Sequence, residues 1–261
     1  MLLTPFVGKA QELYVYTEPA SNMAAKSVGF RLTNNFARIQ GSNQFRYTAA
    51  PEVMVAVSRA FMLHGEAFIG NRVGNLRLNG GSLYGKFRFL SKDEVHSHFR
   101  MAAYMRASIS NLPIHQQAID LQGMNTGTEA GLVATKLNGR LALSASASHL
   151  YAADNADENN FHYGRKNRNA IGYTFSAGRL MLPKEYTSYD QTNINLMTEL
   201  LGQTNLATGD SFLDLAASLQ FIIRSRMRVD VGYRFALIKD LSRTSTDGAL
   251  VRLEYNIFNA F

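Results

Sequence analysis

The histidines of the chain offer the first candidate for chemistry. His96 and His98 lie two residues apart, so an extended strand would place them on one face, and His64 and Glu66 have the same spacing earlier in the chain. Two imidazoles and a carboxylate form a ligand set for zinc or copper. Because the spacing fixes no third ligand, ordinary hydrogen-bonding roles are favoured over a metal site, and no cofactor is expected.

A serine nucleophile with a histidine base is the second candidate. Ser146, Ser148 and His149 are close in sequence, but the adjacent Ser148 and His149 would point to opposite faces of a strand and could not form a hydrogen-bonded pair. Acidic residues follow in the next loop, at Asp154, Asp157 and Glu158. The chain has no cysteine, which excludes thiol catalysis. A hydrolase is therefore only the third of the functions considered below.

The elements that would carry these residues have a period of two. Within residues 211–223, Leu213, Leu215 and Leu219 share one face, while Asp214 lies on the other. The same alternation predicts strands at 26–36, 46–58, 60–70, 82–90, 96–110, 127–137, 140–153, 169–182, 192–205 (a region that would also suit a helix), 211–223, 227–237 and 249–258. Most of these runs are longer than the about 5–6 residues of an average strand.

The connections between the predicted strands alternate in length. One set is mostly very short, as at Asn138-Gly139, where a hairpin turn needs positive φ angles. The other set is longer and includes residues 111–126 and 154–168. Short turns at one end and long loops at the other are typical of an up-and-down meander, so the pattern predicts an all-β fold with a single antiparallel barrel of about twelve strands.

Hydropathy alone would indicate a water-soluble protein. Mean hydropathy is −0.14, and the longest apolar runs span only a few residues, which excludes a transmembrane helix. Membrane-spanning β-strands escape this test because their apolar and polar residues alternate. Here one face of the predicted strands is apolar, and the other carries charges of both signs in mid-strand. The sequence therefore predicts a transmembrane β-barrel with a polar lumen.

The alternation also predicts which charged residues line the pore. They are Arg31, Glu66, Lys86, Arg88, Arg100, Arg106, Glu129, Arg140, Glu199, Asp214, Asp230, Arg234, Arg252 and Glu254, with Arg228 on the same face. Basic residues exceed acidic ones by nine to six in this set, which would favour anions modestly. Pairing between neighbouring strands, such as Asp230 with Arg252, is the favoured interpretation, because it satisfies buried charges.

The end of the chain carries a family resemblance. Phe261 is in phase with Leu253, Tyr255 and Ile257. In this respect the sequence resembles bacterial outer-membrane β-barrels, whose last strand ends in an aromatic residue that serves as an assembly signal, and its Asn- and Tyr-rich loops are similar to those of Bacteroidota barrels. The resemblance implies a location in the outer membrane, contact with outer-membrane lipid, and recognition by the barrel-assembly machinery through the strand ending in Phe261.

The start of the chain predicts two short regions before the barrel. Residues 1–10 are apolar and end in Gly8-Lys9-Ala10, which is typical of the tail of a secretory signal peptide cleaved after Ala10. Residues 11–25 would then form either a periplasmic tail or a plug inside the barrel. The barrel itself would comprise residues 26–261.

A barrel of this size leaves three functions open. About twelve strands give a backbone diameter of roughly 24 Å and a bore of roughly 10–12 Å. A porin-like channel for small solutes is therefore the leading hypothesis. The alternatives are a non-conducting barrel that binds a partner or supports the envelope and, third, a barrel-borne hydrolase. Nucleic-acid binding is disfavoured although the net charge is +7, because the basic residues alternate with apolar ones along strands.

Overall fold

The computed structural model describes residues 14–39, 45–72, 74–94, 97–185 and 190–261. It confirms an all-β fold with twelve strands: β1 (Ser27–Ile39), β2 (Phe45–Ala56), β3 (Phe61–Gly70), β4 (Arg77–Asp93), β5 (Ser97–Ser110), β6 (Gly127–Asn138), β7 (Leu141–Ala152), β8 (Asn169–Leu182), β9 (Asn193–Asn205), β10 (Ser211–Ile223), β11 (Met227–Lys239) and β12 (Ser245–Ile257). A short 3-10 helix, Arg165–Arg168, precedes β8. Among the described residues, no helix is long and apolar enough to cross a membrane.

The strands close into one barrel. Each strand pairs antiparallel with its neighbours in sequence, and β1 pairs with β12, for example through Arg31 opposite Glu254. Closure leaves no unpaired sheet edge, which is a requirement for a sheet surrounded by lipid. The region 192–205, which would also suit a helix, forms β9.

The barrel has an apolar outside and a polar inside. Along β12, the outward-facing Leu253, Tyr255 and Ile257 are each 44–47 % exposed, whereas the inward-facing Glu254 and Asn256 are 4 % and 9 % exposed. The same alternation recurs around the wall and is the reverse of that in a water-soluble barrel. An apolar outer surface of this kind matches the hydrocarbon region of a membrane.

The two ends of the barrel differ, as the connection lengths predict. At the turn end, Gly139 has a φ of +57°, and Arg224 and Ser225 also have positive φ angles. The sequence prediction for Arg140 is wrong, because this residue lies in the Gly139-Arg140 turn and is exposed instead of lining the lumen. The opposite end, called the loop end here, carries the long connections.

Strand β4 is longer than the 82–90 that the sequence predicts. The pair Gly80-Gly81 precedes the predicted strand, but it lies within β4, where the register against β3 shifts beside Gly80. Gly80 has a φ of +151°, and a Cβ there would lie 2.0 Å from the carbonyl oxygen of Ile109 on β5. The glycine therefore permits a bulge in a continuing strand.

The last strand ends earlier than its alternation suggests. Strand β12 stops at Ile257, Asn259 has a φ of +53°, and Phe261 is 59 % exposed beyond the strand. The backbone N–H of Ala260 donates to the carbonyl of Lys26, so the end of the chain stays beside the start of β1. The predicted cleavage point after Ala10 lies outside the described residues.

Candidate functional site

Residues 14–25, called the N-terminal segment below, occupy the turn-end half of the lumen. Tyr14, Val15 and Ala20 are 2 %, 0 % and 0 % exposed, although the segment pairs with no strand. Tyr14 and Val15 pack in one apolar cluster with the inward-facing Leu137 and Met197 of the wall. The segment thus fills space that a simple pore would leave to water.

Glu199 on β9 is the main anchor of this segment. Its carboxylate accepts the backbone N–H groups of Val15 and Thr17 at 2.9 Å and that of Tyr16 at 3.0 Å. The hydroxyl of Thr17 donates to the same carboxylate at 2.8 Å. Glu199 is 0 % exposed, and these four donors offset part of the desolvation of its charge.

Other wall residues bind the segment through its backbone. The Nζ of Lys86 donates to the carbonyls of Pro19 and Ser21 at 2.8 and 2.9 Å, and Nη2 of Arg228 donates to the carbonyl of Tyr14 at 2.6 Å. The hydroxyl of Thr135 accepts the N–H of Ala20, and Arg100 donates to the hydroxyl of Ser21. Several charges that the sequence assigns to a pore lining therefore hold a peptide segment instead of facing open solvent.

A chain of ion pairs links the segment to the wall on the other side of the lumen. Arg31 on β1 lies 2.8 Å from Glu18 of the segment, 3.1 Å from Glu52 and 2.9 Å from Glu254. Glu254 also lies 3.5 Å from Arg228, which lies 2.7 Å from Asp230. These pairs satisfy buried charges on neighbouring strands, as predicted for the lumen, but Asp230 pairs with Arg228 instead of Arg252.

The connection 111–126, called the inner loop below, folds inward at the loop end. The backbone N–H of Ile119 donates to the side chain of Gln203 at 2.8 Å, and that side chain donates back to the carbonyl of Ile119 at 2.9 Å. The hydroxyl of Thr244 donates to Gln116 of the loop at 2.9 Å. Leu121 and other apolar residues of the loop are buried, so the loop narrows the lumen from this side.

A cavity of about 350 Å³ lies between the N-terminal segment and the inner loop. The segment contributes Tyr16 and Glu18 to it, the loop contributes Gln116 and Asp120, and the wall contributes most of the rest. The arginines that line it are Arg31, Arg72, Arg106, Arg234, Arg243 and Arg252. Carboxylates line it as well, so the cavity is polar and charged on both sides.

The predicted lumenal residues fall into three groups. Those that bind the N-terminal segment or its ion-pair network are Arg31, Lys86, Arg100, Glu199, Asp230 and Glu254, with Arg228. The other predicted residues that line the cavity are Glu66, Arg106, Glu129, Arg234 and Arg252. Asp214 lies behind this lining, beside Arg234. Arg88 is partly buried on β4, and Arg140 lies in the turn described above.

The sequence prediction missed several lining residues. Glu52 follows the period of β2 and alternates with the outward-facing Val53, so the same rule could have found it. Arg72, Arg243 and Tyr16 lie outside the strands, where no period applies. Burial lowers the pKa of Arg72, in the loop after β3, to about 10, which leaves this side chain cationic near neutral pH.

The histidines have partners within the wall. His64 is buried, its Nδ1 contacts the carboxylate of Glu52, and its ring packs 4.9 Å from that of Tyr84. His98 lies beside Asp93, with 2.8 Å between Nδ1 and the nearest carboxylate oxygen. His96 lies outside the described residues. Among the described residues, no group of three or more His, Asp or Glu side chains is arranged to hold a metal ion.

Comparison with solved structures relates this fold to channels. The KdgM porin aligns with a TM-score of 0.54 at 10 % identity, covering 88 % of this chain and 98 % of the porin. The NanC porin gives 0.52 at 11 % identity, covering 87 % and 98 %. The COG4313 outer membrane channel from Pseudomonas putida F1 gives 0.61 at 10 % identity, covering 94 % and 100 %. At these identities the likeness is one of fold.

The closed barrel and its apolar outer surface define a membrane-spanning β-barrel, and its fold is that of porins and of an outer membrane channel. No protein-family model matches the sequence, and no curated protein matches it.

Proposed function

We propose that the chain is an outer-membrane channel for small solutes, and that the N-terminal segment closes its bore in the state described here. The observation that carries the proposal is the charged, polar lumen with its cavity of about 350 Å³, enclosed by an apolar outer wall. Charged lumenal side chains of this kind favour water and polar solutes over an apolar filling. The fold shared with porins and with an outer membrane channel supports the same proposal.

Opening of the channel requires the N-terminal segment to leave the lumen. The segment is held mainly by hydrogen bonds and ion pairs, with only a small apolar cluster around Tyr14 and Val15. Water can replace such polar contacts at a much lower cost than it can replace apolar packing. Glu199, Lys86 and Arg228 would then line a hydrated bore, which is the role that their alternation in the sequence predicts.

The filled lumen also favours a second candidate function. A barrel that keeps its N-terminal segment permanently in place would not conduct, and its loops or segment would bind another component of the envelope. This alternative is supported by the number of buried hydrogen bonds that Glu199 and Lys86 form with the N-terminal segment. The two functions differ in one measurable property, which is solute flux.

Liposome swelling tests the proposed function. The full chain and a variant without residues 14–25 are reconstituted separately, and swelling is followed in isotonic solutions of neutral sugars of increasing size. We expect the shortened chain to admit small sugars and to exclude larger ones, and the full chain to be much slower. Heat-modifiable migration on a gel verifies that each barrel is folded. A folded, shortened barrel that admits no sugar would contradict the channel and support the non-conducting alternative.

The other parts of the proposal concern how the barrel reaches the membrane. We propose that residues 1–10 are the remainder of a secretory signal, and that the assembly machinery recognises the end of the chain around Phe261. The exposed aromatic side chain of Phe261, close to the β1–β12 closure, supports this role.

A further inference from the structure

Two arginines on one side of the cavity have no carboxylate of their own. The first is Arg252 on β12, whose Nε donates to the hydroxyl of Thr33 at 3.0 Å and which forms no ion pair with a described residue. Asp230, directly opposite Arg252 on β11, is bound instead by Arg228, whose Nε donates to both of its oxygens at 2.8 and 2.9 Å. Arg252 therefore faces the cavity with most of its hydrogen-bonding capacity unused.

The second is Arg234 on β11. Its Nε lies 3.4 Å from Asp214, and its side chain is 38 % exposed. The carboxylate of Asp214 is already held at both oxygens by Arg243, at 2.5 and 2.7 Å. Arg243 in turn stacks on the ring of Phe212, at 4.0 Å from its centroid, which fixes this competing guanidinium in place. Arg234 therefore shares the carboxylate of Asp214, whose two oxygens already accept hydrogen bonds from Arg243.

Tyr16 of the N-terminal segment reaches the wall between these two arginines. A Cβ added at Gly232 on β11 would lie 3.1 Å from the Tyr16 hydroxyl, so the glycine permits the close approach of this ring. Gly232 lies two residues from Arg234 and pairs with Leu250, which lies two residues from Arg252. The Tyr16 hydroxyl is buried, and no described residue forms a hydrogen bond with it.

The opposite side of the cavity has more carboxylates than arginines. Arg31 is surrounded by Glu18, Glu52 and Glu254, and Arg106 lies 3.1 Å from Glu66 and 3.8 Å from Glu129. Carboxylates are thus in excess around Arg31 and Arg106, whereas Arg234 and Arg252 leave positive charge unmatched on the β11–β12 side. Asp247 also lines the cavity on that side, where its oxygens accept the N–H of Ala236 and the hydroxyl of Thr246.

We propose that Arg234, Arg252 and Tyr16 form a binding site for the oxyanion group of a small solute, either a carboxylate or a phosphate. Guanidinium groups bind both kinds of oxyanion through paired hydrogen bonds, and a tyrosine hydroxyl adds a third donor. A cavity of about 350 Å³ accommodates a solute of roughly the size of a six-carbon sugar acid. The inference deepens the proposed function, because it names the chemical class of solute that the channel admits. It rests on that function, since the solute reaches the site through the channel.

The contribution of Tyr16 couples this site to the N-terminal segment. A bound oxyanion would contact both the wall and the segment, so departure of the segment would remove one of its three donors. The site is therefore complete only while the segment occupies the lumen, and the anion would be held weakly once the bore opens.

Calorimetric titration of the folded full chain in detergent at low ionic strength tests the site. The probes are gluconate, inorganic phosphate, and sorbitol as the uncharged counterpart of gluconate. The variants are Arg252→Gln, Arg234→Gln and Tyr16→Phe, and the control is Arg226→Gln, which changes an exposed arginine in the turn before β11. Tyr16→Phe removes one oxygen atom from a residue outside the barrel wall, so it leaves the folding of the wall intact.

We expect gluconate to bind at least tenfold more tightly than sorbitol. Each arginine variant should weaken gluconate binding by roughly tenfold, and Tyr16→Phe should weaken it several-fold, because each removes a hydrogen bond to a charged group. Comparison of gluconate with phosphate identifies the preferred oxyanion. Arg226→Gln should leave binding unchanged.

Equal binding of gluconate and sorbitol, or gluconate affinity that survives both Arg252→Gln and Tyr16→Phe, would overturn the proposal. Failure of the site can be told apart from failure of the channel. Sugar flux through the shortened chain without anion binding by the full chain would refute the site alone. Anion binding without any flux would refute the channel and leave the site in place.

Discussion

Replacement of Glu199 by glutamine is expected to loosen the N-terminal segment without altering the barrel wall. The carboxylate accepts four hydrogen bonds from the segment, at 2.8–3.0 Å, and a glutamine side chain can replace only one of its oxygens. A hydrogen bond to a charged group contributes about 1.5–3 kcal/mol, so the loss of two amounts to about 3–6 kcal/mol. Even the lower figure would raise the fraction of molecules whose N-terminal segment has left the lumen by a factor of about 100.

Thiol labelling measures that population directly, because the chain has no cysteine of its own. A cysteine introduced by Val15→Cys is a small change at a position that is 0 % exposed and next to the Glu199 anchor. A water-soluble thiol reagent can reach this cysteine only when the segment leaves its site. We expect the labelling rate to rise by about two orders of magnitude or more when Glu199→Gln is added.

Glu129→Gln in the same Val15→Cys background is the matched control. Glu129 is also a lumenal glutamate, but its described contacts are with Tyr104 at 3.4 Å and Arg106 at 3.8 Å, and none is with the N-terminal segment. The control should label as slowly as the parent. Equal labelling in the Glu199 and Glu129 variants, or rapid labelling of the parent, would refute the argument that hydrogen bonds to Glu199 keep the segment in the lumen.

Three further predictions test the membrane wall, the end of the chain and one loop. Leu215→Arg and Val231→Arg place a charge on the outer surface and should each cost roughly 2–4 kcal/mol in urea unfolding from lipid, and unchanged stability would contradict the lipid-facing assignment. Deletion of Phe261 should reduce insertion in cells, measured as the fraction of heat-modifiable protein, and normal insertion would remove its proposed role in assembly. In the loop before β8, a backbone hydrogen bond from Phe161 and then Arg168 lower the pKa of Asp154 below its ordinary value of 3.8. Because the charged form is favoured in the folded loop, its stabilisation is present above that pH and is lost as the pH falls below it. The protection of the Phe161 amide against hydrogen exchange, measured relative to its intrinsic exchange rate at each pH, should therefore fall in acid, and in Asp154→Asn it should be low at every pH.

The strands could be predicted from the sequence because each has two faces in different surroundings. The alternation of Leu253, Tyr255 and Ile257 with Glu254 and Asn256 reflects lipid on one side and a polar lumen on the other. The boundaries of the strands are harder to predict where backbone geometry decides them. The bulge inside β4 lies at Asn79, beside Gly80, and no pattern of side chains distinguishes such a bulge from a loop.

The contents of the lumen could be predicted only in part. Glu199 and Lys86 are buried in the interior, and the alternation of their strands does not indicate what they bind. The N-terminal segment has no period, and it is held by its backbone, which carries no sequence signal. For the same reason the position of Tyr16 beside Gly232 depends on tertiary contacts alone. The sequence therefore predicts the wall of the site but not the groups that close it.

Single-channel conductance in planar lipid bilayers tests the central claim most directly. The chain without residues 14–25, verified as a folded barrel by heat-modifiable migration, should give discrete conductance steps that scale with the salt concentration. The full chain should give rare openings, and Glu199→Gln should make them more frequent. A folded, inserted barrel without residues 14–25 that shows no steps at any voltage would contradict a solute channel closed by its own N-terminal segment.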